Sequence, residues 1–137
     1  MRFFLDTNVV VYSMHQEAPN HEEVNTFLTQ CLKTETVCYF LSASLKDAYY
    51  ILCRHYLTED NARHCIKMFR ETFDMVDLTS SIIDGAFQSN ESNFEDALVR
   101  TSSELLQADA IVSYDKEAFV NSFIPKFTAK QALDLLR

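Results

Sequence analysis

Five acids carry the chemistry open to this sequence: Asp6, Asp47, Glu95, Asp96 and Asp115. Each falls where a strand ends or a helix begins. Asp6 follows the apolar run Phe3-Phe4-Leu5. Asp47 lies in the first turn of the helix expected after a second run, Val37–Leu41. Glu95 and Asp96 open the helix before a third, Ala110–Val112, and Asp115 follows that run. Carboxylates gathered at one place repel one another and resist ionisation without a counter-charge. A hard divalent cation with oxygen ligands, Mg²⁺ or Mn²⁺, answers that problem. Such an ion keeps several waters and suits phosphodiester hydrolysis, in which it polarises the phosphoryl oxygen and activates a water, with no covalent nucleophile needed. The plain structural role of each acid is just as definite. Asp6 reads equally as a strand-ending acid ahead of a helix cap, Asp115 as a cap for the helix after it, and acids in a first helical turn favour the positive end of the helix dipole by about 0.3–1 kcal/mol.

Whether the acids meet depends on the elements that carry them. Consecutive apolar residues in Phe3–Leu5 and Val37–Leu41 read as strands buried on both faces, as in a parallel sheet under helices. Thr7 and Asn8 are expected to cap an apolar helix from Val9 to about His15, and Asn20 a second one. Ser42 and Ser44 are expected to cap the helix with Leu45, Ala48, Leu52 and Tyr56 on one face. A further helix spans about Glu59–Phe73, a short strand Asp74–Asp77, and a helix capped by Thr79 or Ser80 runs to Asn90. Asn93 opens FEDALVRTSSELLQ, a short helix is expected over Lys116–Val120, and a small strand at Lys126-Phe127 precedes the helix Ala129–Leu136. Strands alternating with helices predict a three-layer α/β/α sandwich around a mostly parallel sheet of four to five strands. If the first and fourth strands are neighbours, the switch point lies between them and Asp6 and Asp115 face one crevice.

The 137 residues suit one domain over 1–137. The net charge of −8 counts against nucleic acid as a partner unless metal ions cancel part of it or a basic partner covers it. A single glycine, Gly85, excludes a phosphate-cradling loop. The four cysteines, Cys31, Cys38, Cys53 and Cys65, have no C-x-x-C spacing and read as reduced thiols. No run reaches the ~18–20 apolar residues of a membrane helix, and a cytoplasmic protein is expected.

Four segments, LDTNVVVY (Leu5–Tyr12), LSASLKDAYYIL (Leu41–Leu52), NFEDALVR (Asn93–Arg100) and IVSYDKEAF (Ile111–Phe119), resemble the PIN-domain ribonucleases, and among them the VapC-like toxins of toxin–antitoxin pairs. The tail IPKFTAKQALDLL is similar to that family's last strand and helix. The resemblance implies an Mg²⁺- or Mn²⁺-dependent endoribonuclease with Asp6, Asp96 and Asp115 as metal ligands and Asp47 as the remaining catalytic acid. Many family members carry Glu where this chain has Asp47, so the shorter acid is expected to reach metal through water. Thr7, Asn8, Ser113 and Glu95 are implied as supporting polar residues. The resemblance also implies an RNA substrate, a homodimer, and an antitoxin whose C-terminal segment occludes the acidic cleft. Arg54 and Arg100 are candidate RNA contacts, although Arg100 is spaced to form an i,i+4 pair with Asp96. Tyr50 and Tyr114 are candidate stacking platforms for bases. The competing reading is a catalytically weak or inactive PIN-like module for protein binding or regulation.

Overall fold

The computed structural model describes residues 1–137. Five strands are threaded among seven helices: β1 (Arg2–Leu5), α1 (Thr7–Met14), α2 (His21–Lys33), β2 (Val37–Leu41), α3 (Ser42–His55), α4 (Glu59–Thr72), β3 (Asp74–Val76), α5 (Ser80–Phe87), α6 (Phe94–Leu105), β4 (Ala110–Val112), β5 (Lys126–Phe127) and α7 (Ala129–Leu135). The sheet order is β3-β2-β1-β4-β5, and all four pairings are parallel. The α/β sandwich expected from the alternating pattern is therefore the fold. Its topology puts β1 between β2 and β4, with Leu5 opposite Phe40 and Val112.

Alternation along the strands sorts the core into two layers. Phe3, Leu5, Cys38, Phe40 and Val112 face α1, α2, α3, α4 and α7, whereas Phe4, Leu41 and Ile111 face α5 and α6. Phe3, Phe4 and Leu5 are fully buried, each contributing about 1.5–3 kcal/mol of hydrophobic stabilisation. Gly85 lies where α5 packs on α6: a β-carbon there would stand 2.7 Å from the Thr101 methyl. Cys31 and Cys38 are buried, Cys65 half-buried and Cys53 exposed, all as free thiols. No helix is long and apolar enough to cross a membrane.

Several local expectations are corrected. Asp6, rather than Thr7 or Asn8, occupies the N-cap of α1, which starts at once after the strand. Asn20 precedes α2 in a left-handed conformation (φ 56°) with no side-chain cap. Ser42 and Ser44 lie inside α3 and link elements instead: Ser42 Oγ accepts from the Leu78 amide, and Ser44 Oγ is 2.7 Å from Thr7 Oγ1. Lys116–Val120 forms turns, not a helix. Asp115 Oδ1 accepts the Glu117 and Ala118 amides, but Lys126 Nζ takes the Asp115 and Ala118 carbonyls and Phe119 has φ 65°. A right-handed helix cannot run through that residue.

Candidate active site

The acids converge at the C-terminal edge of the sheet. β1 and β4 end side by side, delivering Asp6 and Asp115 to the crevice between them. α3 and α6 start at the same edge. Glu95 and Asp96 lie in the first turn of α6, whereas Asp47, expected in the first turn of its helix, lies in the second, because α3 begins at Ser42 directly after β2. All five acids line one cleft of about 320 Å³ together with Thr7, Asn8, Ser44 and Lys46. Ser113 is buried behind it and bonded to Asp6.

Asp6 is the fixed member, with 6% of its surface exposed. Its Oδ1 accepts the Thr7 amide at 2.8 Å, and its Oδ2 accepts Ser113 Oγ at 2.7 Å and Asn8 Nδ2 at 3.4 Å. Burial pushes its pKa above the ordinary carboxylate value, and the negative charge of Asp115 adds to the shift. The bonds from Ser113 and Thr7 and the charge of Lys126 oppose it. Asn8 also accepts the Tyr114 amide through Oδ1 at 3.2 Å, tying the end of β1 to the end of β4. Ser113 Oγ in turn accepts the Asp115 amide at 3.1 Å. One hydroxyl thus positions both acids.

Asp96 sits in the first turn of α6, where Asn93 caps the helix by accepting its amide. Its pKa is pushed up to about 6, first by partial burial and then by the charges of Asp6, Asp115, Glu91 and Glu95. Such a rise marks a carboxylate partly withdrawn from water and surrounded by like charge. Glu95, one residue earlier, is exposed at the mouth of the cleft.

The donor set is made of carboxylate and hydroxyl oxygens, with no thiolate or imidazole, which is the chemistry of Mg²⁺ or Mn²⁺ rather than zinc. As the side chains stand, no three acids form a closed ligand set. An ion that keeps most of its waters and takes only one or two direct carboxylates fits such spacing.

The two arginines singled out in the sequence do not line the cleft. Arg100 does not pair with Asp96. Its guanidinium bonds Glu104 at 2.8 Å, Glu91 at 3.1 Å, Asn90 at 2.6 Å and the Asn121 carbonyl at 3.2 Å, with only 11% of its side chain exposed. That network offers more acceptors than the single, partly buried acid one turn away. Arg54 is exposed further along α3 beside Tyr50. Tyr114 is turned toward Glu23 and packs on Tyr12.

Two residues that matter here carry no signal in the sequence. Lys126 donates to the Asp115 and Ala118 carbonyls at 2.6 and 2.7 Å, and its charge reaches Asp6. Glu91, with 4% of its side chain exposed, bonds Arg100 and accepts the Phe119 amide at 3.3 Å. Together they clamp the loop after Asp115 from both sides. Lys126 lies in a two-residue strand and Glu91 in a loop, so neither has a periodic pattern to betray it.

Comparison with known proteins gives this geometry a context. The family model described as PIN domain matches residues 2–117. No curated protein matches the chain in sequence. Among solved structures, VapC20 of Mycobacterium tuberculosis, described as a toxin that cleaves the sarcin-ricin loop, is similar at TM-score 0.73 and 12% identity. The match covers 89% of this chain and 96% of that one. VapBC2 of Rickettsia felis, bound to a promoter DNA fragment, is similar at TM-score 0.70 and 13% identity over 93% of this chain and 98% of that one. FitAcB of Neisseria gonorrhoeae follows at TM-score 0.66 and 12% identity over 93% and 97%. At such identities the likeness is one of fold.

Proposed function

The chain belongs to the PIN-domain family, and from that membership and its cleft we propose that it is a divalent-metal-dependent endoribonuclease, the toxin of a toxin–antitoxin pair. The observation that carries the proposal is the convergence of Asp6, Asp47, Glu95, Asp96 and Asp115 on one cleft, with Asp96 raised to about 6 by burial and then by the charge of its neighbours. Strain of that kind is relieved by a cation.

Asp6, Asp96 and Asp115 would hold Mg²⁺ or Mn²⁺, one or two of them directly and the rest through the ion's retained waters, with Asp47 also reaching it through water. A bound ion would polarise the phosphoryl oxygen and lower the pKa of a water. The protein's own part is orientation. Ser113 and Asn8 fix the carboxylate of Asp6, and Lys126 and Ser113 fix the backbone around Asp115. Asp47 makes no side-chain hydrogen bond or ion pair and is free to orient a water. Lys46, at the rim, meets the charge of an incoming phosphate. A small antitoxin, a homodimer, and cytoplasmic RNA as substrate complete the reading.

The test is cleavage of a mixed RNA pool with Mg²⁺, with Mn²⁺ and with EDTA, comparing wild type with Asp6→Asn and Asp96→Asn. Cutting is expected with either metal, and is lost in EDTA and in both variants. Cutting that persists in EDTA and in both variants refutes the mechanism. A folded protein that cuts nothing under any condition supports the inactive, partner-binding module instead.

A further inference from the structure

α3 leads away from the cleft with an unusual face. Lys46, Tyr50 and Arg54 recur at i, i+4 and i+8, so they stack along one side of the helix over about 12 Å. Lys46 lines the acid cleft itself. Lys46, Tyr50 and Arg54 are all exposed, Tyr50 by 59%. The Arg54 guanidinium carbon is 5.9 Å from the Tyr50 ring centroid, and Nη1 donates to the Tyr50 hydroxyl at 3.1 Å. The cation thus holds the ring in place without burying it.

The charge setting is what makes this face informative. The chain has only 12 lysines and arginines against 20 acids. Arg63, Lys67 and Arg100 are spent on ion pairs with glutamates, and neither Lys46 nor Arg54 has a carboxylate within 4.0 Å. α3 contains one acid, Asp47, and it faces the cleft. Two unpaired cations and an exposed aromatic ring therefore form a continuous track starting at the catalytic cleft of an otherwise acidic molecule. Backbone charge and base stacking are the two demands of an unpaired strand, and this track meets both.

We propose that Lys46, Tyr50 and Arg54 form the binding track for the single-stranded RNA that runs from the cleft along α3. Lys46 and Arg54 take successive backbone phosphates, and Tyr50 takes one base on its open face. The proposal rests on the nuclease reading above and adds the path of the substrate to it.

The experiment measures binding of a fluorescent single-stranded RNA to the full chain in the uncut Asp96→Asn background, across a salt series with Mg²⁺ present. With both cations removed, in Lys46→Ala/Arg54→Ala, the slope of log affinity against log salt should become shallower by roughly 1.4. Tyr50→Ala should weaken binding roughly 5- to 150-fold, and Tyr50→Phe should restore it. Lys33→Ala, at the far end of α2, should leave the slope within a single cation's effect. All four positions are exposed, so the variants should keep the wild-type melting temperature. If wild type cuts RNA while the α3 variants bind with unchanged affinity and slope, the track is wrong and the nuclease reading stands. If wild type neither binds nor cuts RNA, both fall.

Discussion

The two walls of the cleft are built on opposite principles. The wall from β1 and β4 is saturated with hydrogen bonds: Asp6, Asn8, Ser113, Asp115 and Lys126 each bond to at least one other member or to the loop behind them. The wall from α3 is open beyond Ser44, whose hydroxyl meets Thr7: Lys46 and Asp47 make no side-chain ion pair, and Tyr50 and Arg54 bond only to each other. A saturated wall fixes geometry before any ligand arrives, which catalysis needs. An open wall keeps its bonding capacity for the ligand. The contrast assigns positioning to one side and capture to the other, and substitutions should separate the two by size and kind of effect.

The largest effect should come from behind the saturated wall. Glu91→Ala removes a nearly buried carboxylate that serves both Arg100 and the Phe119 amide. Breaking a buried pair by removing one partner costs about 3–5 kcal/mol. Because Arg100 keeps Glu104, the low end applies, with a melting temperature lower by roughly 10 °C. A shift under about 2 °C would mean that the loop after Asp115 does not depend on this clamp.

Next come the residues that aim the acids. Ser113→Ala and Lys126→Met leave every proposed ligand in place but free its orientation, and loss of such outer partners lowers metal affinity or activity by about 10- to 100-fold. For Ser113→Ala the loss should appear in metal affinity, measured by Mn²⁺ titration, as well as in cutting rate. A change in the melting temperature alone would reduce Ser113 to a structural bond and erase the distinction between the walls.

Asp96 sharpens the contrast through pH. Its folded pKa, about 6, lies above the ordinary value of 3.8. The stability associated with this group is therefore fully present below the ordinary value and is lost as pH rises through about 6. Without metal, the protein should melt at lower temperature at pH 7.5 than at pH 5 as far as Asp96 decides, and Asp96→Asn should flatten that dependence while abolishing cutting. With metal, protons compete for the same oxygens, so Mn²⁺ affinity should fall as pH drops through about 6. A metal affinity that does not change between pH 7.5 and pH 5 would remove Asp96 from the ligand set.

The sequence disclosed the saturated and open walls unequally. Apolar runs ending in acids placed Asp6 and Asp115, and a first-turn position placed Asp96, because strand ends and helix starts leave local marks; Asp47 reached the cleft from the second turn of α3, a turn later than expected. The partners that aim these acids did not show. Lys126 meets Asp115 across two strands, and Glu91 meets Phe119 across a loop; such contacts depend on tertiary closure, which periodicity does not encode. Capping rules also misled at Ser42, Ser44 and Lys116–Val120. There, bonds to Leu78, Thr7 and Lys126 claimed the side chains or carbonyls that a local cap or helix would have used.

The smallest effect belongs to Asp47, and it tests the open wall most directly. No hydrogen bond or ion pair holds this carboxylate, and it is one methylene shorter than a glutamate would be. On the proposed contact with metal through a water, its loss is an outer-partner loss, so Asp47→Asn should reduce cutting by about 10-fold, the low end of that range, with no change in melting temperature. Asp47→Glu then discriminates between reach and charge. If the added methylene brings the carboxylate to the metal, cutting should equal or exceed wild type; if it falls to the Asp47→Asn level, the open wall holds its water at a fixed distance and is less adaptable than its missing bonds suggest.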